Sequence, residues 1–186
     1  TIDMRGNLRF ASTSVGTSLN VPYYHVISEN RDFTLSPRVF FDQKVLIQSE
    51  YREINKNSVH NLDFSLLEGK KHFFSKSNKK LQLDSFENSE IYLNLEQTSN
   101  DTYLKTYKLK SPLINNNNNL KSALGLNLTN DDFSFNSEFQ VYENLSKKES
   151  DRFEYVFPSY LLSKNINNNF YDKGDLTFNS SGFLKN

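Results

Sequence analysis

Apolar and polar residues alternate along most of this chain with the period of two that belongs to a half-buried β-strand. Val15, Thr17, Leu19, Val21 and Tyr23 form one row. Phe33, Leu35, Pro37 and Val39 interleave with Thr34, Ser36 and Arg38. After a turn at Asp42, Gln43 and Lys44 the row resumes as Val45, Ile47, Ser49 and Tyr51. Leu62, Phe64 and Leu66 follow an Asn-Lys-Asn turn at residues 55–57, and Ile91, Leu93 and Leu95 alternate with Tyr92, Asn94 and Glu96. Residues 69–80 read as a polar, basic loop or weak strand, and Leu81 and Leu83 as the start of the next strand. The clearest hairpin sets Leu120, Ser122, Leu124, Leu126 and Leu128 against Phe133, Phe135, Ser137, Phe139 and Val141, with a turn over residues 129–132. Phe153, Tyr155 and Phe157 lead into Pro158, and Leu176 and Phe178 follow a polar loop at residues 167–169.

The pattern predicts an all-β antiparallel meander of about nine or ten strands. It breaks over residues 100–113, where Tyr103, Leu104, Tyr107 and Leu109 suit a short helical turn or a loop packed by its own aromatics. The five asparagines at 115–119 read as an exposed loop. Periodicity alone fits a transmembrane barrel and a soluble β-sandwich alike. The arms of the main hairpin have about nine residues, close to what a tilted strand needs to cross a bilayer.

Composition narrows the classes. The chain has 186 residues, 22 basic and 22 acidic, so nothing favours nucleic-acid binding through phosphates. Mean hydropathy is -0.67, and no run approaches the roughly 20 apolar residues of a spanning helix. A barrel remains open, because lipid-facing and lumenal residues average out along each strand. The 16 Phe and 10 Tyr are many for so polar a chain. With no cysteine, disulfides and thiolate metal sites are excluded. No signal peptide opens the chain and strand-like residues begin at once, which suggests one segment, 1–186, of a longer protein.

Little in the sequence suggests catalysis or a cofactor. His25, His60 and His72 lie far apart without ligand spacing, Asp131 and Asp132 suit a turn, and Glu50 and Glu53 lack a pocket that would make them an acid–base pair. There is no phosphate loop, nucleophile elbow or triad order, so a non-enzymatic role is expected. Tyr23, Tyr24, Tyr103, Tyr107, Tyr155 and Tyr160 fall near predicted strand ends, where a barrel keeps its interfacial girdle. Pro22 and Pro37 lie in successive strands, and proline cannot donate to a ladder.

The residues from 22 to 52 carry a likeness. PYYxxIxxNxDxTLxP, a turn, and a strand ending in ExR resemble the start of the barrel domain of the LptD family of outer-membrane lipopolysaccharide-assembly proteins. The matching residues are Pro22, Tyr23, Tyr24, Ile27, Asn30, Asp32, Thr34, Leu35, Pro37, Glu50 and Arg52. A second stretch, TSNDTYLKTY at 98–107 with Asp101, Thr102, Tyr103 and Tyr107, is similar to alphaproteobacterial members. The chain departs at Glu29, where many relatives have proline. The resemblance implies part of a transmembrane barrel in the outer membrane of a Gram-negative bacterium. It implies transport of lipopolysaccharide into the outer leaflet, with Pro22 and Pro37 at a lateral gate. The implied partners are lipopolysaccharide, outer-membrane lipids, the lipoprotein LptE and the periplasmic Lpt bridge proteins. No cofactor, metal or nucleic acid is implied. Lumenal Arg38, Glu50 and Arg52 are expected to face the sugar-phosphate head. The other classes the residues allow are a different porin or receptor barrel and a soluble sandwich that binds carbohydrate.

Overall fold

The computed structural model describes residues 2–3, 9–13, 15–148, 151–166 and 176–185. The expectation for the loop at 167–169 lies outside them. Thirteen strand segments share one antiparallel sheet. They are β1 (Ile2–Asp3), β2 (Arg9–Thr13), β3 (Gly16–Asn20), β4 (Tyr23–Ser28), β5 (Arg31–Phe40), β6 (Val45–Ile54), β7 (Ser58–Leu67), β8 (Lys70–Lys80), β9 (Asn88–Thr98), β10 (Asn119–Asn130), β11 (Phe133–Asn144), β12 (Phe153–Ile166) and β13 (Leu176–Lys185). From β5 onward each strand pairs with the next, so this part is a plain meander. Among the described residues the sheet is open, and β13 does not pair with the first strands.

The turns explain the meander. Glu68 and Gly69 both have positive φ, 45° and 80°, the backbone of a two-residue hairpin turn whose twist matches the strands it joins. That turn makes residues 70–80 a full strand, longer and more regular than their basic composition suggests. The reverse happens at Leu81 and Leu83, which lie in the β8–β9 connection and not in a strand. Between Asn130 and Phe133 only Asp131 and Asp132 turn the chain, so the β10 and β11 arms reach 12 residues each.

Strict pairing sorts the side chains onto two faces. One is largely apolar from β5 to β12: Val39 opposes Val45, Ile47 opposes Leu66, Phe64 opposes Phe73, Leu93 opposes Leu124, Leu124 opposes Phe139, and Phe135 opposes Leu162. It thins at β8, where Ser75 and Ser77 oppose Leu95 and Leu93. Many of these apolar side chains are exposed, among them Ile47, Leu66, Leu93, Leu124 and Phe139. The opposite face is polar, with Thr34, Glu50 and Asp63 across successive strands and Ser36, Gln48, Ser65 and His72 beside them.

The buried core sits on the polar face at one end of the sheet. Residues 99–118, between β9 and β10, fold back there around a single-turn helix, α1 (Tyr103–Thr106). Tyr103, Leu104, Tyr107, Leu109 and Leu113 pack with Phe40, Leu46, Leu67, Phe74, Leu120 and Leu145. Burying a side chain of this size contributes roughly 1.5–3 kcal/mol, so the apolar residues of the insertion favour its docking. Lys108 ends α1 with φ 48°, where the Leu109 amide donates to the Leu104 carbonyl and the Lys108 amide to that of Lys105. This is a Schellman-type cap on a residue that is not glycine, a conformation costing about 1 kcal/mol or more.

The expected tyrosine girdle divides. Tyr23, Tyr155 and Tyr160 are exposed, and Tyr160 lies on the apolar face, but Tyr103 and Tyr107 are core residues at 1% and 4% exposure. Tyr24 falls on the polar face, opposite Thr34. Alternation could not show this, because the insertion is not a strand.

Candidate functional site

Two clusters stand out on the polar side, one at the edge of the sheet and one beneath the insertion. At the edge, β3 and β4 are two halves of one strand broken at Val21 and Pro22. Both halves pair with β5 in the same register: Asn20 opposes Arg38, and Tyr23 opposes Leu35. The break therefore costs ladder bonds without shifting a residue. Val21 N–H donates to the Pro37 carbonyl at 3.0 Å. In an antiparallel pair of this kind the partner's N–H returns the bond, but Pro37 has none. Successive residues direct their bonds to opposite sides, so the donor missing at Pro22 is on the side away from β5.

Next to the break lies Arg38, which is buried. Its Nε donates to Ser18 Oγ at 2.8 Å, and Nη1 donates to the Tyr107 carbonyl at 2.6 Å. Arg38 Nη2 and Asn20 Oδ1, on opposed residues, are buried with no partner among the described residues. The insertion covers Arg38, which is thereby separated from the exposed polar surface expected of it.

Five of the matched residues, Asn30, Asp32, Thr34, Glu50 and Arg52, gather toward the other end of β5. Arg52 Nε donates to Asp32 at 2.7 Å, and the guanidinium lies 6.0 Å from the centre of the Tyr24 ring. Glu50 and Thr34 are opposed one step along. Asn30 sits in the β4–β5 turn, accepting from Ser28 Oγ and donating to Asn55, while its carbonyl accepts from the Ile54 amide. Tyr23 is on the opposite face from Tyr24, as alternation requires. Asp101 and Thr102 precede α1 at the far end, where the Asn100 side chain accepts from both the amide and the hydroxyl of Thr102. Asn30, Asp32 and Arg52 thus lie at the opposite end of β5 from the second stretch, whereas Pro22 and Pro37 lie near it, where the Arg38–Tyr107 bond links it to β5.

Beneath the insertion is a buried polar chain. Ser65 and His72 oppose each other across the β7–β8 hairpin. His72 Nδ1 lies 2.6 Å from Ser65 Oγ, which is 2.9 Å from the Tyr103 hydroxyl. His72 Nε2 lies 3.1 Å from Asp63 Oδ1, and Gln48 Nε2 donates to both Asp63 oxygens and to the Lys110 carbonyl. One assignment satisfies every atom: Tyr103 donates to Ser65, Ser65 to Nδ1, and Nε2–H to the carboxylate. The Phe74 ring stacks on the imidazole at 4.4 Å.

Serine, histidine and aspartate in a row suggest a nucleophile, but the ring is turned the other way from a hydrolase triad, in which serine meets Nε2 and aspartate Nδ1. Ser65, His72 and Asp63 are each at most 1% exposed. In this arrangement the group fastens Tyr103 to the wall. Burial also pushes the Tyr103 phenol up from its ordinary value of 10.0. The histidines as read from sequence gave no hint of this. The signal was the placement of Ser65 and His72 either side of a two-residue turn, which makes them cross-strand neighbours. His25 and His60 lie elsewhere, on β4 and β7. Among the described residues no three of His, Cys, Asp and Glu are grouped to hold a metal ion. Among the described residues no helix is long and apolar enough to cross a membrane, which says nothing of strands. Neither a protein-family model nor a curated protein matches the chain.

Proposed function

We propose that this chain forms part of the wall of an LptD-type outer-membrane barrel that passes lipopolysaccharide to the outer leaflet, with a lateral opening beside Pro22 and Pro37. The observation that carries the reading is the under-bonded ladder at Val21 and Pro37, in a sheet whose apolar face is left open. Strands of 10 to 12 residues from β5 to β11 match the length a tilted strand needs to span the hydrocarbon layer. Among the described residues no element covers the apolar row, whereas one layer of a sandwich would have its apolar face packed against a second sheet.

The chemistry of the cargo explains the need for a weak seam. Lipopolysaccharide has a large polar head that needs an aqueous lumen and acyl chains that need lipid. A wall that parts sideways accommodates both in one step. Each missing ladder bond lowers the cost of parting by about 1 kcal/mol net. The role is non-enzymatic, and the working assembly includes the lipoprotein LptE and the periplasmic bridge. The exposed Arg52–Asp32 pair and Glu50 on the polar face are positioned for the sugar-phosphate head, whereas Arg38 serves the insertion.

The test uses the parent outer-membrane protein that contains this sequence. Replacing Pro22 and Pro37 together by alanine restores both donors and is expected to lower surface lipopolysaccharide with the protein still assembled in the membrane. Unchanged surface lipopolysaccharide at equal protein level rejects the gate.

A further inference from the structure

We infer that the 99–118 insertion is a clasp that holds the edge hairpin β2–β3 against the sheet and so sets how readily the proline-weakened seam parts. Contacts of three different chemistries join that edge to the insertion and to the cluster it helps to bury. Val15, at the tip of the hairpin, packs against the buried cluster that the insertion shares with the sheet. Lys108 Nζ donates to the Ser12 carbonyl at 3.0 Å. Arg38 joins Ser18 on β3 to the Tyr107 carbonyl.

The sheet itself holds the hairpin weakly. The β3–β5 pairing covers only Ser18 to Asn20 before the ladder is interrupted, with one bond on each side, from the Phe41 amide to Thr17 and from the Val21 amide to Pro37. Two buried polar atoms at this place, Arg38 Nη2 and Asn20 Oδ1, lack a partner among the described residues, so the junction's own hydrogen bonds leave part of it unsatisfied. The insertion, by contrast, is fixed to the wall by Tyr103 on Ser65, by Gln48 on the Lys110 carbonyl and by its apolar core. An element so fixed at one side, with three contacts reaching over a short ladder at the other, restrains the hairpin from outside the sheet. The clasp rests on these contacts alone and requires no particular cargo.

Lys108 allows the contact to be cut without undocking the insertion. Its left-handed backbone suits glycine, so Lys108→Gly keeps or improves the cap while removing the reach to Ser12. Combined with Val15→Thr, which makes the hairpin tip polar at nearly constant shape, it leaves the wall contacts of the insertion intact. Amide hydrogen exchange on the full folded chain reads the result. The Val21 and Phe41 amides are expected to exchange about tenfold faster, with the Leu109 amide and the β10–β11 hairpin unchanged. Joining Ser12→Cys and Lys108→Cys through a bifunctional thiol cross-linker of about a lysine's reach, on a background with no native cysteine, is expected to slow the same two amides below the parent. Unchanged exchange at Val21 and Phe41 in the first variant overturns the clasp, and so does an increase spread evenly over the sheet. Exchange is measured without lipopolysaccharide, so this result and that of the export test stand or fall separately.

Discussion

Tyr92 lies across the β9–β10 ladder from Gly125, and its ring fills the space that a side chain at Gly125 would occupy. Tyr160 covers Gly182 in the same way on the β12–β13 ladder, where an added Cβ would stand 2.7 Å from the ring. A glycine weakens a strand, and an aromatic ring laid over it recovers the lost contact, a device that also pins register. Gly125→Val should therefore destabilise the folded sheet by about 1–3 kcal/mol through overpacking. Denaturant unfolding of the variant in the medium that supports the parent fold measures it. Tyr92→Ala in the same background should recover part of the loss, since the clash is with that ring.

Pro37→Ala places an N–H opposite the Val21 carbonyl in a register that is already correct. The ladder should gain about 1 kcal/mol there. The expected result is slower exchange of the Val21 amide, with no change at the β7–β8 hairpin. Faster exchange at Val21 would mean that proline's fixed φ, and not the missing donor, dominates at this position.

The Asp63–His72–Ser65–Tyr103 chain is fully buried, so removing one member leaves the others unpaired. Asp63→Ala strips His72 Nε2 of its acceptor, leaves Gln48 Nε2 only the Lys110 carbonyl, and should cost about 1–3 kcal/mol. Replacing Asp63 and His72 together with apolar residues should cost less than the sum of the single changes. A double-mutant cycle on thermal or denaturant unfolding decides it.

Docking of the insertion should weaken in alkali. Burial raises the Tyr103 phenol above its ordinary 10.0, so the docked state favours the neutral ring. The stabilisation is therefore complete below that ordinary value and is lost as pH rises through the raised one. The Leu109 amide should accordingly lose protection at high pH in the parent. Tyr103→Phe lacks the ionisation, so its protection should start lower by the lost bond to Ser65 and show no such alkaline drop.

Leu124 stands in the middle of the apolar row between Leu93 and Phe139. If that row faces lipid, Leu124→Arg should cost about 2–4 kcal/mol of stability in bilayers, falling toward zero for the same change near the strand ends. A flat dependence on position along the strand would count against a membrane setting.

The strands of this protein are legible in its sequence, because a side chain's face follows directly from the parity of its position. The rows through Phe33–Val39, Val45–Tyr51, Leu62–Leu66 and Leu124–Leu128 and the turns between them could be read without coordinates, and with them the antiparallel all-β class. The two prolines also marked a weak ladder before any partner was known, since a missing N–H is a property of the residue. What alternation does not carry is which strands meet out of sequence and what covers a face. Only the tertiary structure set Pro37 opposite Val21, turned the basic 70–80 stretch into a regular strand through the Glu68–Gly69 turn, and folded Tyr103 and Tyr107 inward instead of outward. The reason is that residues 99–118 have no strand period, so their place is decided by long-range contacts: a buried arginine, a carbonyl acceptor and the apolar pocket formed by Phe40, Leu46, Leu67 and Phe74.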